Sequence, residues 1–591
     1  VFARLSIFRG GFTRDAVEEV AGASVPILGR LVSKSLLQLD PTKGRYQLHE
    51  LLRQYGAEKM AQNPDAAGRL ADRHSAYYCG FLTRHGVHFN RERQREALAA
   101  AEAEADNVQV AWYRAVQQRH SALIQSAMEG LGYFYMWQGR NQKGQKAFQH
   151  AAEHLMQPAS DRAMMVGERS LLAGLLAWQG RFTYLLGDAA GAKALLEQGL
   201  TVLDRPELAG EDTRAERAFI YAQLGIVAMT MGHEGAWSWY ERSLALFRAL
   251  GCQWEMSEVL ARMGQWMHIL AEFQQAEQLF DESLAIKRTL GDHRGVADVL
   301  GQLSHMMAEQ GHLERAERLA RESNALYHEL QNRYGMASGL WHLGVTLIWQ
   351  GKNREAQPLF EGSLALAREL GNQFLLAESY SLLGYTLSAL GQHDEAYTQA
   401  QAGLRLHREI ADPRQVAWSL YVLGWVLASM GAYAEAEQTL RESMSLYRHY
   451  AAETNEPNQL GWSLSLLGYV LWRRGDHHQA QTVLLEVLSL SIRLRDFLPL
   501  LTAFVVIALI LGQQGEKERA VELYALVSRY PAASENRGWP EAVGQELAVI
   551  IATLPPEVAE AARARAEALD LWQTAEALAA ELHARGWDRQ Q

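Results

Sequence analysis

Apolar and polar residues along most of this 591-residue chain recur with the spacing of one buried helix face, but a larger rhythm of 40 residues overlies that short one. Leu303-Ser304, Leu343-Gly344, Leu383-Gly384 and Leu423-Gly424 are each followed seven positions later by Gly311, Gly351, Gly391 or Gly431, and five further on by Ala316, Ala356, Ala396 or Ala436. A fixed repeat of this size marks a helical solenoid, whose helix pairs cannot bury their apolar faces alone and therefore stack on their neighbours. Turn positions at Gly139, Gly187, Gly232, Ala271, Gly311, Gly351, Gly391, Gly431, Gly475 and Gly515 predict about ten hairpins. The glycine seven residues before the turn lies inside a helix, where it costs about 1 kcal/mol relative to alanine. Its recurrence predicts a crossing too close for a side chain, with the alanine after the turn carrying the same constraint on the second helix and Phe280 and Phe360 filling the gaps. Between Tyr450 and Asn458 the spacing stretches to 44, and Glu456-Pro457 marks the break.

The two ends depart from this rhythm. Phe2, Leu5, Ile7 and Phe8 read as a short helix, Thr13 and Asp15 open a second with Ala16, Val17 and Val20 inward, and a third spans about Ser24 to Ser35. The period then drops to two: Leu37 and Leu39, a turn at 40–44, and Tyr46 and Leu48 read as a hairpin, closed by a helix from His49 to Met60. Three helices followed by a hairpin is a winged-helix layout. Residues 63–118 read as a helical linker and 119–530 as the solenoid. After Tyr530-Pro531 the period stops, and 531–591 read as a capping helix pair with Leu569, Leu571, Trp572, Ala575 and Leu578 on one face.

Composition narrows the function classes. A formal net charge of -11 argues against nucleic acid as the main ligand, and the third helix of residues 1–62 offers only Arg30 and Lys34 for a DNA groove. Two cysteines, Cys79 and Cys252, fit a reducing cytoplasm. The start lacks the basic and apolar regions of a signal peptide and begins at Val1 without methionine, so the chain is expected to be a fragment or a processed piece. The apolar run Phe497 to Leu511 contains Pro499, is short for a membrane span of about 20 residues, and falls on a first-helix position, so a buried helix is expected. No catalytic motif, metal-ligand spacing or cofactor signature is present, and an enzyme is not expected. Gly187-Asp188-Ala189-Ala190-Gly191-Ala192-Lys193-Ala194 imitates a phosphate loop, but its spacing is wrong and it lacks the hydroxyl residue that would hold magnesium.

The Leu-Gly pair, turn glycine and following alanine resemble the tetratricopeptide repeat, with 40 residues in place of the usual 34 and no proline at the hairpin's end. That resemblance implies an all-α fold, a right-handed superhelical solenoid preceded by the small winged-helix domain. It also implies that first-helix positions 13, 10, 6 and 3 residues before the turn glycine line the inner groove. Those slots hold Trp341, Glu378, Tyr385, Trp418, Tyr421, Trp425, Trp462, Tyr469 and Trp472 late in the chain, and Glu258, Gln265, His268, Asp298 and His305 earlier. The groove is therefore expected to be acidic and polar early and aromatic late, the kind of surface that anchors a peptide, a protein or a small-molecule ligand.

A second resemblance concerns the start. Phe2-Ala3-Arg4-Leu5-Ser6-Ile7-Phe8-Arg9-Gly10-Gly11-Phe12, Leu31-Val32-Ser33-Lys34-Ser35-Leu36-Leu37 and Tyr46-Gln47-Leu48-His49-Glu50-Leu51-Leu52-Arg53-Gln54-Tyr55 resemble the winged-helix segment of bacterial signal-transduction NTPases of the STAND type, relatives of NB-ARC proteins. In that family the segment follows a P-loop module and precedes helical repeats. Leu48-His49-Glu50 stands where the family has Met-His-Asp, which implies a nucleotide-sensing role for His49 in a protein that includes the NTPase module. Glu104-Ala105-Asp106-Asn107 resembles the family's linker and implies mechanical coupling. The expected function is thus a sensor and scaffold region of such a regulator, involved in transcriptional regulation. A stand-alone peptide-docking adaptor and DNA binding through the winged helix are the alternatives.

Overall fold

The computed structural model describes residues 1–157, 165–231, 235–410, 412–454, 460–530 and 539–587. The turn at Gly232, the Glu456-Pro457 break and Pro531 lie outside them. The fold is an all-α solenoid with one small sheet. It comprises two compact units: residues 1–231, 235–259 and 286–293 form the first, and residues 260–285 together with the described residues from 294 onward form the second.

The first unit begins with a 3-10 turn at Phe2–Ile7, strand β1 (Phe12–Thr13), helix α1 (Arg14–Ala21), helix α2 (Val25–Ser33), strands β2 (Gln38–Asp40) and β3 (Arg45–Gln47), and helix α3 (Glu50–Ala61). Leu5, Phe8, Phe12, Val17, Val20, Leu28 and Leu37 are buried as its core. The hairpin turn is fixed by Asp40, whose Oδ1 accepts from the Thr42 hydroxyl at 2.6 Å and from the Thr42 and Lys43 amides at 3.0 and 3.2 Å. Strand β1, invisible to the pattern reading because it is two residues long, pairs antiparallel with β3 and places Phe12 opposite Tyr46. It exists because Gly11, at φ 101°, lets the chain approach so closely that a Cβ there would lie 3.0 Å from the Tyr46 carbonyl oxygen.

Helices Pro64–Gly86, Gln94–Ala103 and Ala105–Gln117 follow. Asn107, wholly buried, ties them to the N-terminal segment: its Oδ1 accepts from the Arg9 amide at 2.7 Å, and its Nδ2 donates to the Gly11 carbonyl at 2.9 Å and to Glu104 at 2.8 Å. Glu104 also accepts from the Tyr78 hydroxyl and pairs with Arg45. Each buried polar atom here has a partner, so the junction is rigid.

Ten hairpins succeed one another among the described residues, from Ser121–Trp137 with Asn141–Met156 to Phe497–Gln513 with Lys517–Val527. The expected close crossings are present. A Cβ on Gly344 would fall 2.8 Å from the Phe360 ring, on Gly424 2.7 Å from Leu440, and on Gly468 2.7 Å from Leu484. Gly384 is tighter in kind, since its Cβ would meet backbone, the Ala400 nitrogen at 2.9 Å and the Ala396 oxygen at 3.0 Å. Buried serines on the second helices add a ladder: Ser323, Ser363 and Ser443 donate to the carbonyls of Ala297, Ala337 and Ala417 at 2.7, 2.9 and 2.7 Å. The turn at Gly187 is a repeat turn, φ 96°, with Asp188 capping the next helix through the Gly191 amide at 2.7 Å.

The apolar run from Phe497 is a solenoid helix buried along most of its length, and no described helix is long and apolar enough to cross a membrane. The chain's last part differs from the expected helix pair: its described residues hold three helices, Trp539–Ala552, Pro556–Glu567 and Leu571–Ala584. The Pro555-Pro556 step makes the extra break, because the ring before Pro556 cannot stay helical and Pro556 is accommodated as a first-turn residue. Leu571, Ala575, Leu578 and Leu582 of the final helix are buried.

Candidate functional site

In the second unit the first helices Arg333–Trp349, Gln373–Ala389, Pro413–Ser429 and Leu460–Arg474 carry the nine aromatic and acidic residues expected on the inner face. Trp341, Tyr385, Trp418, Trp462 and Trp472 are half-buried, while Glu378, Tyr421, Trp425 and Tyr469 are buried. None of the nine is fully exposed, so the aromatic face is a closely packed surface, not a row of free rings.

Most of them meet. The Tyr385 and Trp425 rings lie 4.8 Å apart, Trp425 and Tyr421 6.5 Å, Tyr421 and Trp418 5.3 Å, and Trp462 stands edge-on to both Trp418 and Tyr421 at 5.9 and 5.7 Å. Trp349, which the register does not assign to the groove, extends this cluster through Trp462 at 5.4 Å. A chain of offset and edge-to-face rings gains about 0.5–1.5 kcal/mol per pair beyond burial, enough to hold its half-buried members in place. Tyr469 stands apart against Tyr433 at 6.1 Å, and the Trp472 ring lies tilted against His477 at 4.0 Å while its indole donates to Gln513 at 3.1 Å.

Trp341 belongs to a polar group instead. Its ring is edge-on to His305 at 5.7 Å and to His342 at 4.9 Å. His268 shares a 2.6 Å hydrogen bond with Glu309, and His305 Nε2 lies 3.4 Å from the same carboxylate. Burial works to raise the Glu309 carboxyl, but the charge and hydrogen bond of His268 outweigh it and hold it below the usual range. Asp496, at the start of a later first helix, is driven the other way, well above the ordinary value, by burial and then by the Glu309 charge. Burial also pushes the Glu378 carboxyl up to about 7, opposed by Arg414 and reinforced by Asp412. The early groove positions are polar as expected: in the second unit Asp298 accepts from Tyr327 and from Arg294 at 2.6 Å, and in the first unit Glu258 pairs with the fully buried Lys287.

Sequence reasoning missed Glu309, Arg414, His407, Tyr447 and Asp496. The signal for two of them was present, since Lys287, Tyr327, His407 and Tyr447 share one second-helix slot at the 40-residue period and its multiples. His49 is exposed at the start of α3, its Nδ1 accepting the Leu51 amide at 3.3 Å as a helix cap. Among the described residues no three His, Cys, Asp or Glu side chains converge as metal ligands.

Residues 335–409 and 375–449 match the sequence model of the tetratricopeptide repeat. The hairpins there are tetratricopeptide repeats. Curated relatives include proteins of Mycobacterium bovis and Mycobacterium tuberculosis bearing the name "Putative HTH-type transcriptional regulator", each 25% identical over 276 residues that make up 44% of this chain and 29% of the relative. The chain thus spans under a third of their length. Similar solved structures include a signal-transduction ATPase with a tetratricopeptide repeat sensor from Pyrococcus horikoshii, at 12% identity and TM-score 0.39, with 82% of this chain and 61% of that one covered. A Rap protein complexed with competence and sporulation factor is 13% identical, TM-score 0.44, with 66% of this chain and 99% of that one covered.

Proposed function

We propose that this chain is the binding region of a STAND-type signal-transduction regulator. A peptide or protein segment docks on the inner face of the second unit, and its binding biases an NTPase module of the intact protein. The observation that carries the reading is the cluster Tyr385, Trp425, Tyr421, Trp418 and Trp462, packed at 4.8 to 6.5 Å yet with three of its five rings half-buried. Half-buried rings held in place by buried ones give a large apolar contact area at little further cost in side-chain entropy, which is what a docking surface needs. Residues 1–62 serve in this reading as a winged-helix domain, with Asn107 and Glu104 as the joint that carries movement to it and His49 as the nucleotide sensor. His49 suits that role in being exposed and in holding its ring by one backbone contact.

Panning a random dodecapeptide library on the chain and titrating the enriched peptides by calorimetry tests the docking surface. Trp418→Ala and Trp462→Ala should each weaken the peptides at least about tenfold with the helical circular dichroism unchanged. Peptides indifferent to both variants, or no enrichment, would refute it. The regulator half is tested by the reading frame upstream of Val1, where a phosphate-loop motif is expected; a start codon directly before Val1 would refute that half alone.

A further inference from the structure

A solenoid is held together by contacts between adjacent hairpins, so side chains that meet across several hairpins are additions to the stack. The second unit has such contacts. Counting from the hairpin that opens at Ser121, the fifth pairs His293–Glu309 with Leu313–Glu329, the sixth Arg333–Trp349 with Asn353–Leu370, the ninth Leu460–Arg474 with His477–Leu494, and the tenth opens at Phe497. Trp349, ending the sixth hairpin's first helix, stands edge-on to Trp462 at the start of the ninth's, with ring centroids 5.4 Å apart. The Gly311 turn of the fifth hairpin receives the Phe497 ring of the tenth, which would lie 3.4 Å from a Cβ on that glycine. Between these, the seventh and eighth hairpins meet as neighbours through Tyr385 and Trp425 at 4.8 Å. The pairing is nested: seventh with eighth, sixth with ninth, fifth with tenth. One half of the inner face is folded onto the other.

The closed arrangement carries costs as well as gains. Glu309 and Trp349 share one slot, two residues before the turn glycines Gly311 and Gly351. Trp349 meets a ring across the face, but Glu309 meets Asp496, so two carboxyls stand within electrostatic reach of each other. On the first helices of the sixth, seventh and eighth hairpins, the Trp341 indole N–H and the Ser388 and Ser429 hydroxyls are buried with no hydrogen-bond partner among the described residues. A buried polar atom left unbonded forfeits free energy that water returns on exposure. Against these costs stand apolar contacts. Trp349 is 6% exposed and Phe497 3%, the latter held also by the Tyr530 ring at 5.0 Å. Closure thus gains apolar burial and loses polar satisfaction, and an apolar group that covers the same rings can replace it.

Trp462 belongs to both sets: it packs on Trp418 and Tyr421 in the aromatic cluster, and on Trp349 across the face. We propose that Trp349 against Trp462 and Phe497 against Gly311 form a clasp that shuts the inner face on itself, and that a docking peptide opens it by taking the Trp462 ring from Trp349. This rests on the reading of that face as a docking surface. A ligand shifts such an equilibrium only by binding one state better than the other, and the competition for Trp462 supplies that difference. Opening parts the fifth hairpin from the tenth, with the movement shared among the stacking interfaces between them. Docking at the middle of the unit thereby alters its end.

The test uses the full chain carrying Cys252→Ser, with spin labels attached through Glu314→Cys on the fifth hairpin and Gln514→Cys on the tenth, both exposed positions, and reads their separation by double electron–electron resonance. Library peptides that need Trp418 should lengthen the separation. Without peptide, Trp349→Ala and Phe497→Leu should each move the distribution to longer distances with the helical circular dichroism unchanged, because stacking between neighbours survives. The leucine variant keeps an apolar side chain in the stack and shortens only its reach. Since Phe497 lies outside the aromatic cluster, Phe497→Leu should also bind the peptides severalfold more tightly, the open state being more populated. Unchanged distances in both variants would overturn the clasp. Peptides that need Trp418 yet leave the separation unchanged would overturn it too, while leaving the docking surface standing. Panning that enriches no peptide would refute the docking surface, whereas lengthened distances in the two variants would still support the closure.

Discussion

Glu378→Gln offers a quantitative check on the interior of the second unit, because the substitution keeps shape and removes only the ionisable group. Glu378 is 6% exposed, and burial raises its carboxyl from 4.5 to about 7. A group raised in this way binds its proton more tightly when folded. Its contribution to stability is therefore fully present below 4.5 and is lost as the pH rises through about 7. At about 1.4 kcal/mol per unit, the charged form costs the fold up to ~3 kcal/mol at pH 8. The charged and titratable groups around it are Arg414, Asp412, His407 and Tyr447. His407, held down to about 4 by burial, is neutral in the folded state across the range tested but binds a proton when unfolded below 6.5; that slope is common to wild type and variant and cancels in their difference. Repeat arrays seldom unfold in two states, so the assay is native-state hydrogen exchange of the hairpin Gln373–Ile410, comparing wild type and variant. The variant should be more protected at pH 8 by up to ~3 kcal/mol, with the gain fading toward pH 4.5. A variant less stable at pH 8, or a difference that does not change with pH, would show that the carboxylate is already paired and would refute the reasoning.

Gly384→Ala should destabilise the same hairpin by a net ~1–2 kcal/mol, overpacking against unyielding backbone outweighing the gain in helix propensity. Gly29→Ala, with nothing within 4 Å of the new Cβ, should stabilise its own segment by up to ~1 kcal/mol; hydrogen exchange reads both. Lys287→Met should leave Glu258 and Asp292 without their buried cation and cost ~3–5 kcal/mol, seen as lost protection across Gln253–Leu290. Asn107→Ala strands the Arg9 amide and the Gly11 carbonyl at ~1–3 kcal/mol each and should speed proteolytic cleavage within residues 1–62, leaving the repeats intact.

The sequence by itself determined the solenoid, the nine of its expected turns that lie among the described residues, and the crossings at Gly344, Gly384 and Gly424. Each of these is a local steric demand repeated at a fixed spacing, and repetition makes a weak preference legible. It also assigned nine residues to first helices, where the structure has them, five half-buried and four buried, and it read the Phe497 run correctly as a buried helix. It did not separate the rings that support from those that face outward: Trp425 and Trp462 satisfy the same pattern, but burial depends on which rings of neighbouring repeats lean together. The helix break before Pro556 was legible in Pro555-Pro556, a local steric signal. Only the tertiary structure decided that Glu378 stands 3.8 Å from His407 Nε2, beyond hydrogen-bond reach, while Asp298 is closed by Tyr327. Both pairs join an acid to a polar partner 29 residues on, and what distinguishes them is a few tenths of a nanometre in how side chains of different length meet across two helices, a quantity that no residue-by-residue pattern encodes.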